Sequence, residues 1–252
     1  MKIKTDTHSH TIASGHAYST IREMAKAGAE AGLEMLAITE HAPMMPETCG
    51  RFYFSNLGII PRKMYGMQMM FGVELNILDE EGTIDLPENL LKQMDITIAS
   101  IHGPCYGESK GIEKNTKAYI NAMKNPYVCI IGHPDDGRFP VDYEAIVKMA
   151  KETGTLLEIN NSSLRPDGFR ENTRENSLLL LRLCKKYGVF ITTGSDSHID
   201  TELGDFCYVY DVLEECDFPE ELVVTTSYEK LVSHLKHWKK RCQAFLKMSR
   251  NN

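Results

Sequence analysis

Short apolar runs alternate with amphipathic stretches along most of the chain. The runs are rich in isoleucine and valine and are mostly continuous, which is typical of parallel strands that are buried on both faces. Between most of them lie segments with apolar residues at helical spacing. Seven strands are predicted, at residues 3–8, 35–39, 69–75, 96–101, 128–132, 155–159 and 189–193.

The intervening helices carry start and stop signals. Thr20 and Glu23 have the spacing of a capping box, which predicts a helix beginning after Thr20. Gly154 and Gly188 stand where helix C-caps are expected. Further helices are predicted at residues 112–123, 143–152, 176–187 and 228–250; in the last, Leu231, Leu235, Trp238, Cys242 and Phe245 form the apolar stripe.

The alternation of strand and helix predicts parallel βαβ units, in either an open doubly wound sheet or a closed barrel. Residues 41–66 interrupt it with prolines, glycines and aromatic residues, and are predicted to form a long loop over one face, a plausible lid. No repeat, low-complexity stretch or linker divides the chain. One domain over residues 1–252 is therefore predicted.

Composition and charge narrow the classes of protein. The net charge of −7 argues against non-specific nucleic-acid binding, which needs a basic surface. The sequence has no secretory signal and no apolar run long enough for a membrane span. The seven cysteines are scattered without C-x-x-C spacing, which favours reduced thiols in a cytoplasmic protein. The oligomeric state stays open.

Seven of the nine histidines lie at or beyond the carboxyl end of a predicted strand. In parallel α/β folds these ends share one face, and that face carries the site. Six of the seven strands therefore bring a metal-binding side chain to the same place. The candidate ligands are His8, His10, His16, His41, Glu74, His102, His133, Asp196 and His198.

The local spacing supports metal binding. His8 and His10 are two residues apart, as are Asp196 and His198, so in extended chain each pair points to one side. Imidazole nitrogens and carboxylate oxygens suit zinc, manganese or iron. His234 and His237 lie on the basic C-terminal helix, and both are predicted to be non-ligands.

The candidate ligands lie in six short segments: TDTHSH at 5–10, ITEH at 38–41, GVE at 72–74, SIH at 100–102, IGHP at 131–134 and GSDSH at 194–198. Together these segments resemble the polymerase and histidinol phosphatase (PHP) family. They span positions 5–198 in the family's order, and the absence of a polymerase domain makes the chain similar to the stand-alone YcdX-type phosphatases. One departure is Glu40, where the family often has aspartate; we expect a supporting role and little consequence.

The resemblance implies a distorted (β/α)7 barrel with a trinuclear metal site at the carboxyl ends of the strands. Three divalent ions are expected, with zinc as the first choice and manganese or iron as alternatives. Glu74 would bridge the first two ions. The implied ligand sets are His8, His10, Glu74 and Asp196 for the first ion, Glu74, His102 and His133 for the second, and His16, His41 and His198 for the third.

The activity expected from this resemblance is hydrolysis of small phosphate monoesters by a hydroxide that bridges two of the metals. Glu74 and Asp196 are catalytic in the sense that they hold the metals. An arginine should orient the phosphoryl group, because its fork matches two oxygens. Arg165 and Arg170 are the candidates, and Arg138 is a weaker one.

Other functions remain compatible with the sequence. The same site could hydrolyse phosphodiesters at nucleic-acid ends, although the acidic net charge weighs against nucleic acid as a partner. Histidinol phosphate is a possible monoester substrate. A metal-dependent amidohydrolase is disfavoured, because a third metal and the arginines would lack a purpose. The non-enzyme alternative is a metal-stabilised binding module, and it predicts intact ligands without turnover of any ester.

Overall fold

The structure is a computed structural model that describes the backbone of residues 1–249 and the side chains of residues 1–240. The strands are short and most are fully buried. They are β1 (Thr5–Asp6), β2 (Met35–Ile38), β3 (Lys63–Met64), β4 (Met67–Phe71), β5 (Val73–Asn76), β6 (Thr97–Ser100), β7 (Ile130–Ile131), β8 (Leu156–Asn160) and β9 (Ile191–Gly194).

Helices follow most of the strands. Thr20 and Glu23 form the predicted capping box at the first helix, and Gly154 and Gly188 end two others in left-handed conformation. The helices are α1 (Ile21–Glu30), α2 (Arg51–Ser55), α3 (Glu88–Leu91), α4 (Gly103–Tyr106), α5 (Ile112–Lys124), α6 (Tyr143–Thr153), α7 (Thr173–Tyr187), α8 (Cys207–Glu215) and α9 (Tyr228–Ser249).

The strands form two sheets, ordered β1-β2-β4-β3 and β5-β6-β7-β8-β9, in which every pair except β3 with β4 is parallel. Backbone hydrogen bonds join the sheets at both edges. The N–H of Glu74 donates to the carbonyl of Glu40, and the N–H of Asp196 donates to the carbonyl of His8. With β4 and β5 counted as one bent strand, seven parallel strands form a ring, which confirms the predicted distorted barrel.

The predicted strand 69–75 is interrupted at Gly72. A Cβ atom there would lie 2.0 Å from the carbonyl oxygen of Ile96, so only glycine allows β6 to approach so closely. The chain bends at this point and passes from one sheet to the other. The bend turns the strand that carries Glu74 into the ring.

Replacing Gly72 with alanine should destabilise the barrel. The added methyl group meets backbone that cannot move freely, and overpacking of this kind costs about 1–3 kcal/mol. Thermal unfolding would measure the loss. Gly58→Ala is the matched control, because nothing lies within 4 Å of its added Cβ. Equal melting temperatures for the two variants would contradict the prediction.

Residues 41–66 contain more secondary structure than the long loop predicted for them. They contain α2, a 3-10 helix at Leu57–Ile59 and β3, which pairs with β4 across a turn at Tyr65 and Gly66. Both turn residues have positive φ, the conformation that favours a two-residue hairpin turn. This segment of the chain, called the 41–66 segment below, reaches the carboxyl-end face through Met45 and Pro46.

The last helix packs against the barrel strands. Leu231, Leu235 and Trp238 of α9 are buried in one cluster with residues such as Met35 and Leu156. Arg250, the last residue of the predicted tail helix, lies outside the described residues, as do the side chains of Cys242 and Phe245. The six cysteines with described side chains are free thiols. None of the helices within residues 1–249 has the length and apolar character needed to cross a bilayer.

Candidate metal centre

The nine candidate ligands come together at the carboxyl ends of the strands. Six of them form three overlapping groups of three residues, and within each group the ligand atoms lie within 4.8 Å of one another. The remaining three candidates, His133, His16 and Asp196, each lie beside a member of these groups. The groups are His10, His41 and His198; His8, His10 and Glu74; and His41, Glu74 and His102.

Glu74 lies at the centre of the cluster. Its Oε1 atom is 2.9 Å from Nε2 of His133 and 3.1 Å from Nε2 of His102. Its Oε2 atom is 2.8 Å from Nδ1 of His41 and 3.4 Å from Nε2 of His8. Nε2 of His10 is 3.5 Å from Oε2 as well, so the completely buried carboxylate has two imidazoles beside Oε1 and three beside Oε2.

Asp196 and His16 complete the two sides of the cluster. The Oδ1 atom of Asp196 lies 3.4 Å from Nε2 of both His8 and His10. The ring of His16 is 4.9 Å from the rings of His41 and His198, in stacked geometry. The structure therefore brings all nine sequence-predicted ligand residues into one region.

Hydrogen bonds at Nδ1 fix the tautomers of several imidazoles. His8 donates from Nδ1 to the carboxylate of Glu158 at 2.8 Å, and His102 donates from Nδ1 to the amide oxygen of Asn76 at 2.7 Å. Asn76 is oriented because its NH2 group donates to Asp85. With Nδ1 protonated, the Nε2 atom of each ring keeps a lone pair that faces the cluster.

Several buried atoms that can ligate a metal then face one another across the cluster. Nε2 of His8 and Nε2 of His10 are 3.1 Å apart, and both adjoin Oδ1 of Asp196. Oε2 of Glu74 and Nε2 of His102 are buried without a hydrogen-bond partner among the described residues. Unpaired acceptors in a buried site are costly unless a cation satisfies them. The donor set fits divalent metal ions.

The pKa shifts of the clustered residues also favour the binding of a cation. Burial lowers the pKa of His8, but the carboxylates of Glu158 and Asp196 together raise it well above the usual value, so their field favours a cation at this place. Burial would raise the pKa of Glu74, but neighbouring imidazoles hold it well below its usual range. Burial and two nearby histidines lower the pKa of His16 to about 4, which leaves its lone pair available at neutral pH.

Two of the candidate ligands adopt unusual backbone conformations. His133 has φ of 28° and Asp196 has φ of 55°, in a region that residues other than glycine rarely occupy. Hydrogen bonds hold both residues there, because the N–H of His133 donates to Glu158 and the N–H of Asp196 donates to the carbonyl of His8. Backbone strain of this kind is concentrated at functional sites.

A cavity of about 600 Å³ opens above the cluster. Met45, Pro46 and Phe169 supply apolar wall, and Arg138 and Arg170 supply charge. Arg170 has a side chain only 9% exposed and donates from Nη2 to Oδ2 of Asp196 at 3.2 Å. The cavity thus combines candidate metal ligands with a buried guanidinium.

The two predicted phosphate-binding arginines differ in position. Arg170 faces the cavity, and Asp196 is its one hydrogen-bond partner among the described residues, which leaves other N–H donors available. Arg165 pairs with Asp167 and Glu202 and lines a smaller cavity of about 270 Å³, which adjoins the main cavity at Phe169 and Arg170. Its proposed role stays a prediction that this geometry does not favour. Arg138 reaches the main cavity, but Asp136 holds its guanidinium.

The sequence of residues 6–163 matches the family model described as PHP domain. The chain belongs to the PHP family. Over 241 residues it is 46% identical to a "Probable phosphatase" of Thermoanaerobacter sp. strain X514 and 48% identical to one of Acetivibrio thermocellus. Each alignment covers 96% of this chain and 98% of the relative.

Solved structures share the fold of this PHP protein at low identity. Histidinol phosphate phosphatase of Lactococcus lactis, complexed with zinc, L-histidinol and phosphate, matches with a TM-score of 0.62 and 18% identity, over 87% of this chain and 95% of the other. An archaeal ribonuclease P structure with mature tRNA matches with a TM-score of 0.55 and 15% identity, over 96% and 93%. The fold alone therefore accompanies very different activities.

Some residues of this PHP site have no role in the sequence analysis. Glu158 accepts hydrogen bonds from Nδ1 of His8 and from the N–H of His133, so it orients two candidate ligands. In the sequence, Glu158 could have been recognised as a charged residue within an apolar run that predicts a buried parallel strand. Asn76 and Ser14 give no such signal, because short polar residues beyond strands are common in loops.

Proposed function

We propose that this PHP protein hydrolyses phosphate monoesters of small molecules with divalent metal ions held by the cluster around Glu74. The observation that carries the proposal is the set of buried imidazole and carboxylate ligand atoms beside Arg170, whose guanidinium suits a phosphoryl group. Relatives named "Probable phosphatase", at 46% and 48% identity over nearly the whole chain, support it.

Three ions, with zinc as the expected metal, form part of the proposal. His8, His10, Glu74 and Asp196 would hold one, Glu74, His102 and His133 a second, and His16, His41 and His198 a third. The overlapping groups of ligand atoms support a site with more than one ion. Bound ions of this kind supply Lewis acidity toward phosphoryl oxygens and make water a stronger nucleophile at neutral pH.

The residues of the chain would bind and orient the substrate. Arg170 would hold the phosphoryl group with the N–H donors that Asp196 does not use. Met45, Pro46 and Phe169 would enclose the organic part and keep water from it. The cavity of about 600 Å³ suits a small monoester better than a polynucleotide. One catalytic unit over residues 1–252 and a cytoplasmic location belong to the same proposal.

The test combines metal analysis with two model substrates on one preparation. We expect about three ions per chain and faster turnover of p-nitrophenyl phosphate than of bis-p-nitrophenyl phosphate. A preference for the diester would instead favour a phosphodiesterase. Bound metal without turnover of either ester would favour a binding module. A screen of phosphorylated metabolites that includes histidinol phosphate would then identify the substrate.

Arg170→Ala should reduce kcat/KM for p-nitrophenyl phosphate about 100-fold, which corresponds to ~2.7 kcal/mol of transition-state stabilisation. Loss of the guanidinium removes a charge beside the expected phosphoryl position and one hydrogen bond to Asp196, while all nine candidate ligand residues are retained. Steady-state kinetics at saturating metal would measure it. Arg165→Ala is the matched control, because Arg165 pairs with Asp167 and Glu202 away from the main cavity. Equal kinetics for both variants would remove Arg170 from the site.

A further inference from the structure

Four hydrogen-bond donors converge on Glu40, two residues beyond the end of β2. Its Oε1 accepts from the hydroxyl of Thr11 at 2.5 Å and from that of Tyr53 at 3.3 Å. Its Oε2 accepts from the N–H of Thr11 at 3.0 Å and from the hydroxyl of Ser14 at 2.6 Å. The carboxylate is fully buried and is engaged by these donors, so its role is not that of a metal ligand.

Ser14 connects this carboxylate to the metal centre. A serine hydroxyl has one proton, and at Ser14 that proton goes to Glu40, which as a carboxylate can only accept. Ser14 must therefore accept from its other neighbours. These are Nδ1 of His10 at 3.0 Å and the N–H of His41 at 3.1 Å.

The chain of hydrogen bonds fixes the tautomer of His10. Because Ser14 accepts, Nδ1 of His10 must carry the proton, and Nε2 keeps its lone pair. That lone pair lies 3.4 Å from Oδ1 of Asp196 and 3.5 Å from Oε2 of Glu74, where a metal ion would be held. The opposite tautomer would place a proton on Nε2 and block ligation.

We propose that Glu40 and Ser14 form a positioning relay that holds His10 in the tautomer able to bind metal. Neither residue ligates the metal, and their effect passes through His10. Tyr53 of α2 also donates to Glu40, so the relay lies against the 41–66 segment. The inference rests on the metal centre proposed above and does not depend on the substrate.

The first measurement is the tautomer of His10 in the metal-free protein, read from long-range ¹H–¹⁵N correlations above the titration range of free histidine. The wild-type protein should show the proton on Nδ1. In Ser14→Ala the acceptor for that proton is lost, and the ring should become a mixture of tautomers. A wild-type ring with its proton on Nε2 would overturn the relay without any variant.

The second measurement is zinc affinity, by competition with a chromophoric chelator. Ser14→Ala should lower the affinity of one site about 10–100-fold, the usual cost of losing a partner of a metal ligand. Glu40→Gln removes one acceptor oxygen. Like Ser14→Ala, it should give a mixture of His10 tautomers and a lower zinc affinity. Ser55→Ala is the matched control, because among the described residues this hydroxyl on α2 hydrogen-bonds only to the carbonyl of Phe52 and the amide of Asn56.

Wild-type tautomer and wild-type zinc affinity in folded Ser14→Ala would overturn the proposal. Thermal unfolding of the metal-free variants establishes that they are folded. A wild-type protein that binds zinc but turns over neither nitrophenyl ester would refute the proposed function while leaving the relay intact, so the two failures are distinguishable.

Discussion

Replacing Glu74 with glutamine is expected to abolish phosphate-ester hydrolysis while the barrel remains folded. Oε1 of Glu74 lies close to imidazole nitrogens of two histidines and Oε2 to those of three, so one residue serves both sides of the cluster. Glutamine has nearly the same shape, but it is neutral and replaces one oxygen by an NH2 group that cannot ligate. Hydrolysis of p-nitrophenyl phosphate should fall by about 1,000-fold or more, equivalent to ~4 kcal/mol.

Metal analysis and unfolding distinguish this effect from simple misfolding. The variant should retain fewer ions per chain, and its metal-free form should melt close to the metal-free parent. Glu81→Gln is the control, because Glu81 is an exposed carboxylate that pairs with Lys117 at the surface. A Glu74→Gln protein with full metal content and full activity would show that Glu74 is not a shared ligand.

Removal of the metals should both inactivate and destabilise the protein. The ligands come from strands all around the ring, so bound ions would connect β1, β5, β6 and β9 across its end. A ligand present at 1,000 times its dissociation constant stabilises the native state by about 4 kcal/mol. For a chain of this size that corresponds to a fall in melting temperature of about 8–16 °C on chelation.

Calorimetry before and after chelation would measure the shift, and zinc or manganese added singly should restore activity. Protons compete with metal for the histidines, so the stabilisation should diminish as the pH falls below the titration range of histidine. Glu74→Gln in the same experiment should show a smaller shift. Identical melting temperatures with and without metal would indicate that the ions do not contribute to folding.

The convergence of the candidate ligands was predictable because strand order and chemistry coincide in this chain. Histidines such as His8, His102 and His133 follow apolar runs, and the carboxyl ends of parallel strands meet on one face. The pattern required no knowledge of the tertiary contacts. It also predicted the capping box at Thr20 and the glycines that end α6 and α7.

Other features depend on contacts between residues distant in sequence. The predicted strand 69–75 is interrupted at Gly72 because the backbone of Ile96 lies against it. The sequence around Gly72 gives no sign of this contact. The hairpin of β3 is two residues long, too short for a periodic signal, although Tyr65 and Gly66 form its turn. The residues that hydrogen-bond to the candidate ligands were missed because they too are distant in sequence from the histidines they contact. Asn76 and Glu158 act through Nδ1 atoms whose positions only the folded chain defines.

The junction of β1 with the segment after β9 imposes an order on the assembly of the protein during synthesis. His8 lies 3.4 Å from Asp196, but Asp196 leaves the ribosome almost 190 residues after His8. At roughly 5–20 residues per second, that interval lasts about 10–40 s. The growing chain carries exposed histidines throughout this time without a complete centre. The complete set of candidate ligands therefore exists only after His198 has been synthesised, and a metal ion bound earlier would meet only part of that set.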